Sequence, residues 1–304
     1  MLQFLLMSNS AIFRSSFFLL TFILFFSSSC SDEDQSVLLS GTKTDILSML
    51  QSRDITQRTS IASNNFIVYT EGGTSIRAEP NSFVFEDSGS LASGLIDFEV
   101  TELFTKSEIL QYGIETRSNN AIIESDGEFL FSASQNGQSL RLANNKVLSL
   151  IVPNSNPNPG MELFGAGEGA WLPLGDSLNT FVSNGPDSFN GYGFDFDRLD
   201  WVNIDYFTKF DLDLTDISIC LPEGFEENRI LSWVVFKNID VVLNSSGESL
   251  PIGEVVSIVC IAAENENTFR IDIQEVTVEV GLKVNLNPQV KSVDNIKGLL
   301  KELD

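Results

Sequence analysis

Short apolar runs separated by turn residues are the feature that most constrains the fold of this 304-residue chain. They begin at Phe66 and include NFIVYT, NSFVFEDSG, GLIDFEVTEL and KVLSLIVP. Apolar and polar residues alternate in GLIDFEVTEL, which is the period of a strand with one buried face. Asn136 and Gly137 separate FLFSA from SLRLA and predict a two-residue hairpin. Together these patterns predict an all-β fold with two β-sandwich-like units.

A segment rich in proline and asparagine, PNSNPNPG at 153–160, predicts a linker or long exposed loop between the two units. The first predicted unit is a β-sandwich domain over 66–153. The second is a β-rich domain over 161–290, with strand candidates such as ISICL, ILSWVVF and VVSIVCIAA. This division follows from local composition and periodicity alone.

Two short helices are predicted outside these units. The polar residues 30–65 predict an acidic tether, in which TDILSMLQ at 44–51 forms a helix capped by Thr44 or Asp45. Residues 291–304 predict a C-terminal helix after a Ser292 cap, because Ile296, Leu299, Leu300 and Leu303 follow helical spacing.

The first 29 residues contain an apolar run, FFLLTFILFF at 17–26, which is too short to span a bilayer but suits the apolar part of a secretory signal. Three serines then lead directly into Cys30. This arrangement resembles the end of a bacterial lipoprotein signal peptide. The resemblance implies that the thiol of Cys30 receives a diacylglycerol and that the new amino terminus is acylated, which gives a stable lipid anchor. A plain secretory signal with an incidental cysteine is the alternative.

The four residues after Cys30 indicate a location. Ser31, Asp32, Glu33 and Asp34 resemble the acidic export signal of Bacteroidota-type lipoproteins. That resemblance implies an outer-membrane protein, lipid-anchored and exposed at the cell surface. A solvated acidic tether without a sorting role is the alternative.

Charge and the lack of histidine exclude several functions. The formal net charge is −24, so nucleic acid is not an expected partner, since phosphate binding needs clustered Lys and Arg. The chain has no histidine, which excludes Ser-His-Asp and Cys-His nucleophilic sites and histidine-ligated zinc. Paired carboxylates could serve a glycosidase, but 42 acidic residues make such pairs expected by chance. We therefore expect no enzyme activity and no cofactor.

Two cysteines, Cys220 in ISICLP and Cys260 in SIVCIAA, lie in apolar runs that predict strands. Outside the cytoplasm they could form a disulfide, worth about 3 to 4 kcal/mol in the chain-entropy model. They could equally be buried free thiols that behave as small apolar side chains. Both interpretations stay open at this point.

The densest aromatic and acidic cluster is FNGYGFDFDRLDWVNIDYF at 189–207. In a strand, Trp201, Asn203 and Asp205 share one face, and an indole beside an amide and a carboxylate can stack on a sugar ring and bind its hydroxyls. The structural alternative places Trp201 in the core and the two polar groups at a domain junction. Three acids nearby could hold calcium, although their spacing does not fit an EF-hand: Asp195, Asp197 and Asp200.

The stretch GTSIRAEPNSFVFEDSGSLASGLIDFEVTEL, followed by ETRSNNAIIESDGEFLFSASQNGQSLRL, is similar to a domain common in uncharacterised Bacteroidota lipoproteins. That domain resembles the β-sandwich shared by ankyrins, netrin receptors and tight-junction scaffolds. LDWVNIDYF and SLPIGEVVSIVCIAA extend the similarity to about residue 290. The matching positions are Gly73, Pro80, Phe83, Gly89, Gly94, Glu102, Thr116, Ser125, Gly127, Phe129, Ala133, Asn136 and Gly137.

The resemblance implies a binding role, since the animal sandwiches act as interaction modules, although a fold alone does not assign a function. We therefore expect a non-enzymatic outer-membrane lipoprotein that acts as an interaction module for another envelope protein. A glycan-binding surface lipoprotein, with or without calcium, is the second hypothesis. A carboxylate-based hydrolase is the third.

Overall fold

The structure is a computed structural model, and it describes residues 39–51, 56–167, 170–182, 189–245 and 249–304. The predicted signal peptide at 1–29, the predicted lipidation site Cys30 and the predicted export signal Ser31–Asp34 lie outside these ranges. Among the described residues, no helix combines the length and the apolar character needed to cross a bilayer.

About 50% of the described chain is β-strand and only about 10% is helical, so the all-β prediction is confirmed. The helices are α1 Lys43–Leu50, α2 Lys106–Tyr112 and α3 Val293–Lys301. The strands, in chain order, are β1 Thr56–Ala62, β2 Phe66–Tyr69, β3 Ser75–Ala78, β4 Phe83–Phe85, β5 Leu95–Leu103, β6 Arg117–Ser118, β7 Ala121–Gln135, β8 Gln138–Leu142, β9 Leu148–Pro153, β10 Glu162–Ala166, β11 Trp171–Pro173, β12 Asn179–Phe181, β13 Gly191–Phe196, β14 Trp201–Phe207, β15 Leu214–Asp216, β16 Ser218–Cys220, β17 Ile230–Phe236, β18 Val242–Asn244, β19 Ser249–Pro251, β20 Val255–Asn265, β21 Thr268–Thr277, β22 Lys283–Asn285 and β23 Gln289–Lys291.

Two of the sheets pack face to face as a β-sandwich. Sheet I has the order β1-β5-β7-β14-β10-β11, with the short strands β6 and β8 paired to β7 and β4 paired to β8. Sheet II has the order β12-β13-β9-β3-β2. Their inner faces share one core that is rich in aromatic rings, because alternate residues of each strand point inward. The fully buried phenylalanines of this core include Phe66, Phe83, Phe98, Phe129, Phe131 and Phe196.

The predicted linker at 153–160 connects two parts of this one sandwich. β13 follows the linker but pairs with β9, which precedes it. β14 likewise pairs with β7, so strands on both sides of the linker lie side by side in both sheets. The expected boundary at Met161 therefore needs correction. It does not separate two sandwiches, because the first sandwich continues to Phe207. The segment is loop-like, as its composition indicated, yet the strands on either side belong together.

The C-terminal unit is built on a third sheet, sheet III, with the order β18-β17-β20-β21-β23. Both of its faces are buried. Residues such as Val259 and Ile261 face a layer formed by the three helices, while Ile258 and Ala262 face the opposite side. That opposite side is covered by two ladders, β15 with β19 and β16 with β22. The continuous apolar run of β20 follows from this double burial.

Cys260 lies in the middle of β20 and is a free, fully buried thiol. The disulfide between Cys220 and Cys260 that the sequence left open is therefore absent. The thiol of Cys260 instead packs as a small apolar side chain within the buried cluster on this side of sheet III. Burial raises the pKa of the Cys260 thiol to about 12, with Asp272 as a smaller cause.

Residues 39–65, expected to be part of a tether, are packed where the structure describes them. Ile46 and Leu50 of α1 are fully buried against sheet III, and β1 pairs with β5 at the edge of sheet I. The predicted helix is present, but its cap is Thr42, whose hydroxyl accepts from the backbone N–H of Asp45. Asp45 in turn accepts from the backbone N–H of Thr42, which completes a capping box.

Two local predictions match the structure. Asn136 and Gly137 both have positive φ and join β7 to β8 in a tight hairpin. The C-terminal helix α3 begins after Ser292, whose hydroxyl accepts from the backbone N–H of Asn295. Ile296 and Leu300 of α3 are fully buried in the layer of helices on sheet III.

A β-bulge in β7 decides which side chains reach each face of sheet I. The register against β14 shifts so that Ile204 pairs with Gly127 and Asp205 with Ser125, which leaves Asp126 as the extra residue. Gly127 has φ of +148° at this point. A Cβ there would lie 3.0 Å from a ring carbon of Phe104, so both backbone and packing require glycine.

We predict that Gly127→Ala lowers the free energy of unfolding by about 1 to 3 kcal/mol, because a side chain strains the bulge and meets the Phe104 ring. Gly298→Ala is the matched control, since Gly298 lies exposed within α3 with nothing near its Cβ position. That control should raise the free energy of unfolding by about 0.5 to 1 kcal/mol. Urea unfolding of both variants measures the difference, and an unchanged midpoint for Gly127→Ala would contradict the account of the bulge.

Candidate functional site

The three tryptophans of the chain, Trp171, Trp201 and Trp233, line one open pocket of about 310 Å³. The pocket lies between sheet I and the C-terminal unit, since Trp171 and Trp201 belong to β11 and β14 and Trp233 belongs to β17. The volume is at the lower end of the range for small-molecule sites. Its remaining walls are mostly small residues or polar groups, namely Gly113, Ile114, Glu115, Ala166, Gly167, Ala170 and Asn244.

The indole rings stand at steep angles to one another. The ring centroids of Trp171 and Trp201 are 6.3 Å apart at an interplanar angle of 79°. On its other side Trp201 meets the ring of Tyr112, at 6.1 Å and 77°. Trp201 is half-buried, whereas Trp171 and Trp233 are buried. The packed rings therefore hold the walls in place, and Trp201 is the most exposed of the three indoles.

Glu115 connects the elements that surround the pocket. Its backbone oxygen accepts a hydrogen bond from the indole nitrogen of Trp171 at 3.1 Å. Its Oε2 accepts from the backbone N–H of Asn244 at 3.0 Å and lies 3.9 Å from Nε of Arg117. Glu115 follows α2, whose C-terminal cap is Gly113 in the left-handed conformation. This single residue thus holds an indole from sheet I and the end of β18 in fixed positions.

Of the predicted trio Trp201, Asn203 and Asp205, only Trp201 reaches the pocket. The three residues do share one face of β14, while Val202 and Ile204 face the sandwich core. Asn203 and Asp205, however, are fully buried. A ligand cannot contact them, so their predicted role in binding needs correction: this face of sheet I is covered by the C-terminal unit.

The two buried residues belong to a polar cluster on the outer face of sheet I. Nδ2 of Asn203 donates to Oδ2 of Asp205 at 2.6 Å and to Oε1 of Glu128 at 3.4 Å. Oδ1 of Asn203 accepts from the hydroxyl of Ser125 at 2.8 Å. One oxygen of Glu128 and one of Asp205 have no hydrogen-bond partner among the described residues. The hairpin of β17 and β18 lies close by, since the backbone oxygen of Asp240 accepts from Ser125.

Burial raises the pKa of both carboxyl groups in this cluster well above the usual range. Desolvation is the largest cause for Glu128 and for Asp205, and the neighbouring Glu128 raises the pKa of Asp205 further. The ion pairs seen among the described residues include neither group. The pair therefore retains protons at a pH where exposed carboxyl groups are ionised.

Another acid on β7, Asp126, faces the opposite side of sheet I. It points to sheet II and accepts from the hydroxyl of Tyr192 and, at 3.1 Å, from Nδ2 of Asn154. The hydroxyl oxygen of Tyr192 accepts from the backbone N–H of Asn158 at 2.6 Å. Desolvation raises the pKa of Asp126. These bonds fasten the predicted linker to both sheets, which suits a structural role.

The calcium candidates Asp195, Asp197 and Asp200 are exposed, and the structure does not gather them into one metal site. Asp195 accepts from the hydroxyl of Ser149, Asp197 pairs with Arg198, and Asp200 accepts from the backbone N–H of Trp201. Across the described ranges, no group of three or more acidic or cysteine side chains has an arrangement that could hold a metal ion.

Comparison of the chain with protein-family models, with curated proteins and with solved structures finds no match. The site must therefore be interpreted from its own geometry. Sequence patterns identified Trp201 but missed Trp171, Trp233 and Glu115, which lie far apart along the chain. Rarity is the signal that could have found the two tryptophans, since the chain has only three of these large rings. No comparable signal singles out Glu115 among 42 acidic residues.

We predict that stability falls as the pH rises above about 4, in part because of Glu128 and Asp205. Both groups have a folded-state pKa above the unfolded value, so their contribution is full below the unfolded pKa and is lost as the pH rises toward the folded pKa. Asp205→Asn should reduce the slope of the free energy of unfolding against pH by up to ~1.4 kcal/mol per pH unit. Urea unfolding between pH 4 and 8 measures the slope.

Asp211→Asn is the matched control, because it replaces the same carboxyl group by an amide at an exposed position. The control should keep the slope of the wild-type protein. Identical slopes for Asp205→Asn and the wild type would show that Asp205 does not hold a proton in the folded state.

Proposed function

We propose that this protein is a non-enzymatic, lipid-anchored protein of the cell envelope that binds a sugar ring of a glycan in the three-tryptophan pocket. One observation carries the proposal: the three tryptophans of the chain, from distant strands, converge on one open pocket. Stacking on an indole and a few polar contacts are how proteins hold sugar rings. The pocket combines both kinds of group.

The polar groups of the pocket support this ligand class. Glu115 and the end of β18 at Asn244 stand beside the indoles. Its volume of about 310 Å³ suits a single ring rather than a long chain. The pocket is open to solvent, so the terminal sugar of a larger glycan can enter it while the rest of the glycan stays outside.

The proposed location rests on the start of the chain. Lipidation at Cys30 and the acidic residues Ser31–Asp34 would place the protein on the outer membrane, exposed at the cell surface. Anchoring by acyl chains needs no basic surface, which suits a protein with a net charge of −24.

A second candidate function is binding of an envelope protein through the outer face of sheet II. This face leaves Tyr69, Ile151 and Phe181 exposed at 68%, 41% and 44%. Tyr69 and Ile151 lie in one row across the sheet, on either side of Ser75. Grouped exposed apolar residues on a folded domain are typical of protein contacts. The partner would be a membrane neighbour of the anchored protein.

We predict that Trp201→Phe weakens retention of the protein in polysaccharide-containing gels about tenfold, because the smaller ring loses contact area with the sugar. Affinity electrophoresis against a panel of polysaccharides measures the retention. Trp201→Phe keeps an aromatic ring against Tyr112 and Trp171, so the fold should persist, and near-ultraviolet circular dichroism checks it. Tyr69→Ala is the matched control and should leave retention unchanged.

We also predict that Cys30→Ser moves the protein from the membrane fraction to the soluble fraction, because the thiol that would carry the lipid is lost. Cross-linking in intact cells, followed by mass spectrometry, should give a recurrent envelope protein with the anchored chain and not with Cys30→Ser. Tyr69→Ala should remove this adduct if the outer face of sheet II is the contact. Membrane retention of Cys30→Ser would contradict the proposed anchor.

A further inference from the structure

We propose that the group entering the three-tryptophan pocket carries an ammonium charge, as an amino sugar of a surface glycan does; this inference rests on the proposed function. It specifies the ligand class beyond a sugar ring in general. Three features of the pocket support it, and each concerns charge: the arrangement of the indoles, the acidic side chain on the wall, and the field of the whole protein.

The indoles form a corner. The rings of Trp171 and Trp201 meet at 79°, and both residues line the pocket. The centroids are 6.3 Å apart, which keeps an ammonium group in this corner within about 6 Å of both rings, the usual range of a cation–π interaction. The face of an aromatic ring carries partial negative charge, so the corner favours a compact cation.

The charged group on the pocket wall is acidic. Glu115 lines the pocket, and its side chain is 28% exposed. The described residues that line the pocket include no lysine or arginine. Arg117 lies 3.9 Å from Oε2 of Glu115, but it lines a different cavity, together with residues such as Phe210 and Leu214. Among the described lining residues the carboxylate of Glu115 is thus the charged group, and Arg117 offsets part of its charge.

The charge of the whole protein acts in the same direction. With a formal net charge of −24, the surface attracts cations and repels carboxylated or sulfated sugars. Glucuronate should therefore bind more weakly than a neutral sugar of the same size. The same field makes the preference for an ammonium group sensitive to salt, because exposed charges are screened at high ionic strength.

Tryptophan fluorescence tests this inference directly. All three tryptophans line the pocket, so the emission of the full chain reports on the pocket and on no other tryptophan. The titrants are glucosamine, glucose, N-acetylglucosamine and glucuronate, which share one ring and differ in charge. The titrations are carried out at mildly acidic pH, where the amine of glucosamine is protonated. Tetramethylammonium serves as a probe for cation–π binding without a sugar.

We expect glucosamine to bind three- to tenfold more tightly than glucose, and glucuronate most weakly. Raising the salt concentration should reduce the preference for glucosamine. Glu115→Gln should reduce it as well, while the amide still accepts from the N–H of Asn244. Glu279→Gln is the matched control, since it removes the same charge at an exposed position that does not line the pocket, and it should keep the preference.

The outcomes separate the two proposals. Equal affinities for glucosamine and glucose, or tighter binding of glucuronate, would overturn the ammonium inference and leave a pocket that binds sugar rings. A response to tetramethylammonium alone would overturn both the amino sugar and the glycan. Tryptophan fluorescence that changes with none of the titrants would overturn the proposed ligand site itself. The salt dependence of the wild-type protein remains decisive even if Glu115→Gln fails to fold.

Discussion

The antiparallel pairing of β7 with β14 is the interaction on which the rest of the structure depends. The two strands come from opposite sides of the loop at 153–160, yet they lie at the centre of sheet I. Val202 and Ile204 of β14 complete the sandwich core. Trp201, Asn203 and Asp205 face the other way, towards the C-terminal unit. One strand therefore supplies the core, the buried polar cluster and a wall of the pocket.

The buried carboxyl groups at this pairing constrain the register. A slip of β14 by one residue would turn Asn203 and Asp205 into the aromatic core and Val202 towards the polar side chains of β7. Burying an unpaired carboxylate costs several kcal/mol, so the cluster is tolerated only because Asn203 bridges Glu128 and Asp205 and because protons neutralise them. The bulge at Asp126 places Ser125 and Glu128 on the same face, where both can take part.

The C-terminal unit covers the outer face of sheet I. Its β17–β18 hairpin lies against the outer face of sheet I, where Nζ of Lys106 donates to the backbone oxygens of Phe236 and Lys237. Thr116 exchanges hydrogen bonds with the backbone of Val242. These contacts bring Trp233 beside Trp171 and Trp201. The pocket thus depends on the junction of the two parts, and neither part alone contains all of its walls.

Local features were predictable because their causes are local. The hairpin at Asn136 and Gly137 needs two residues with positive φ, and the helix after Ser292 needs a cap and a helical stripe of leucines. The division at 153–160 was not predictable in the same way, since composition shows that a segment is loop-like but does not show which strands pair across it. Alternation likewise placed Trp201, Asn203 and Asp205 on one face without showing that the face is covered.

The sequence by itself determined the strand content, the turn positions, the acidic surface and the exclusion of histidine chemistry, because each depends on residue type or on short-range spacing. The tertiary structure decided which strands share a sheet, which polar groups are buried and where three distant tryptophans meet. Those outcomes depend on non-local pairing, in which residues such as Glu115, Trp201 and Trp233 become neighbours only after the sheets have packed.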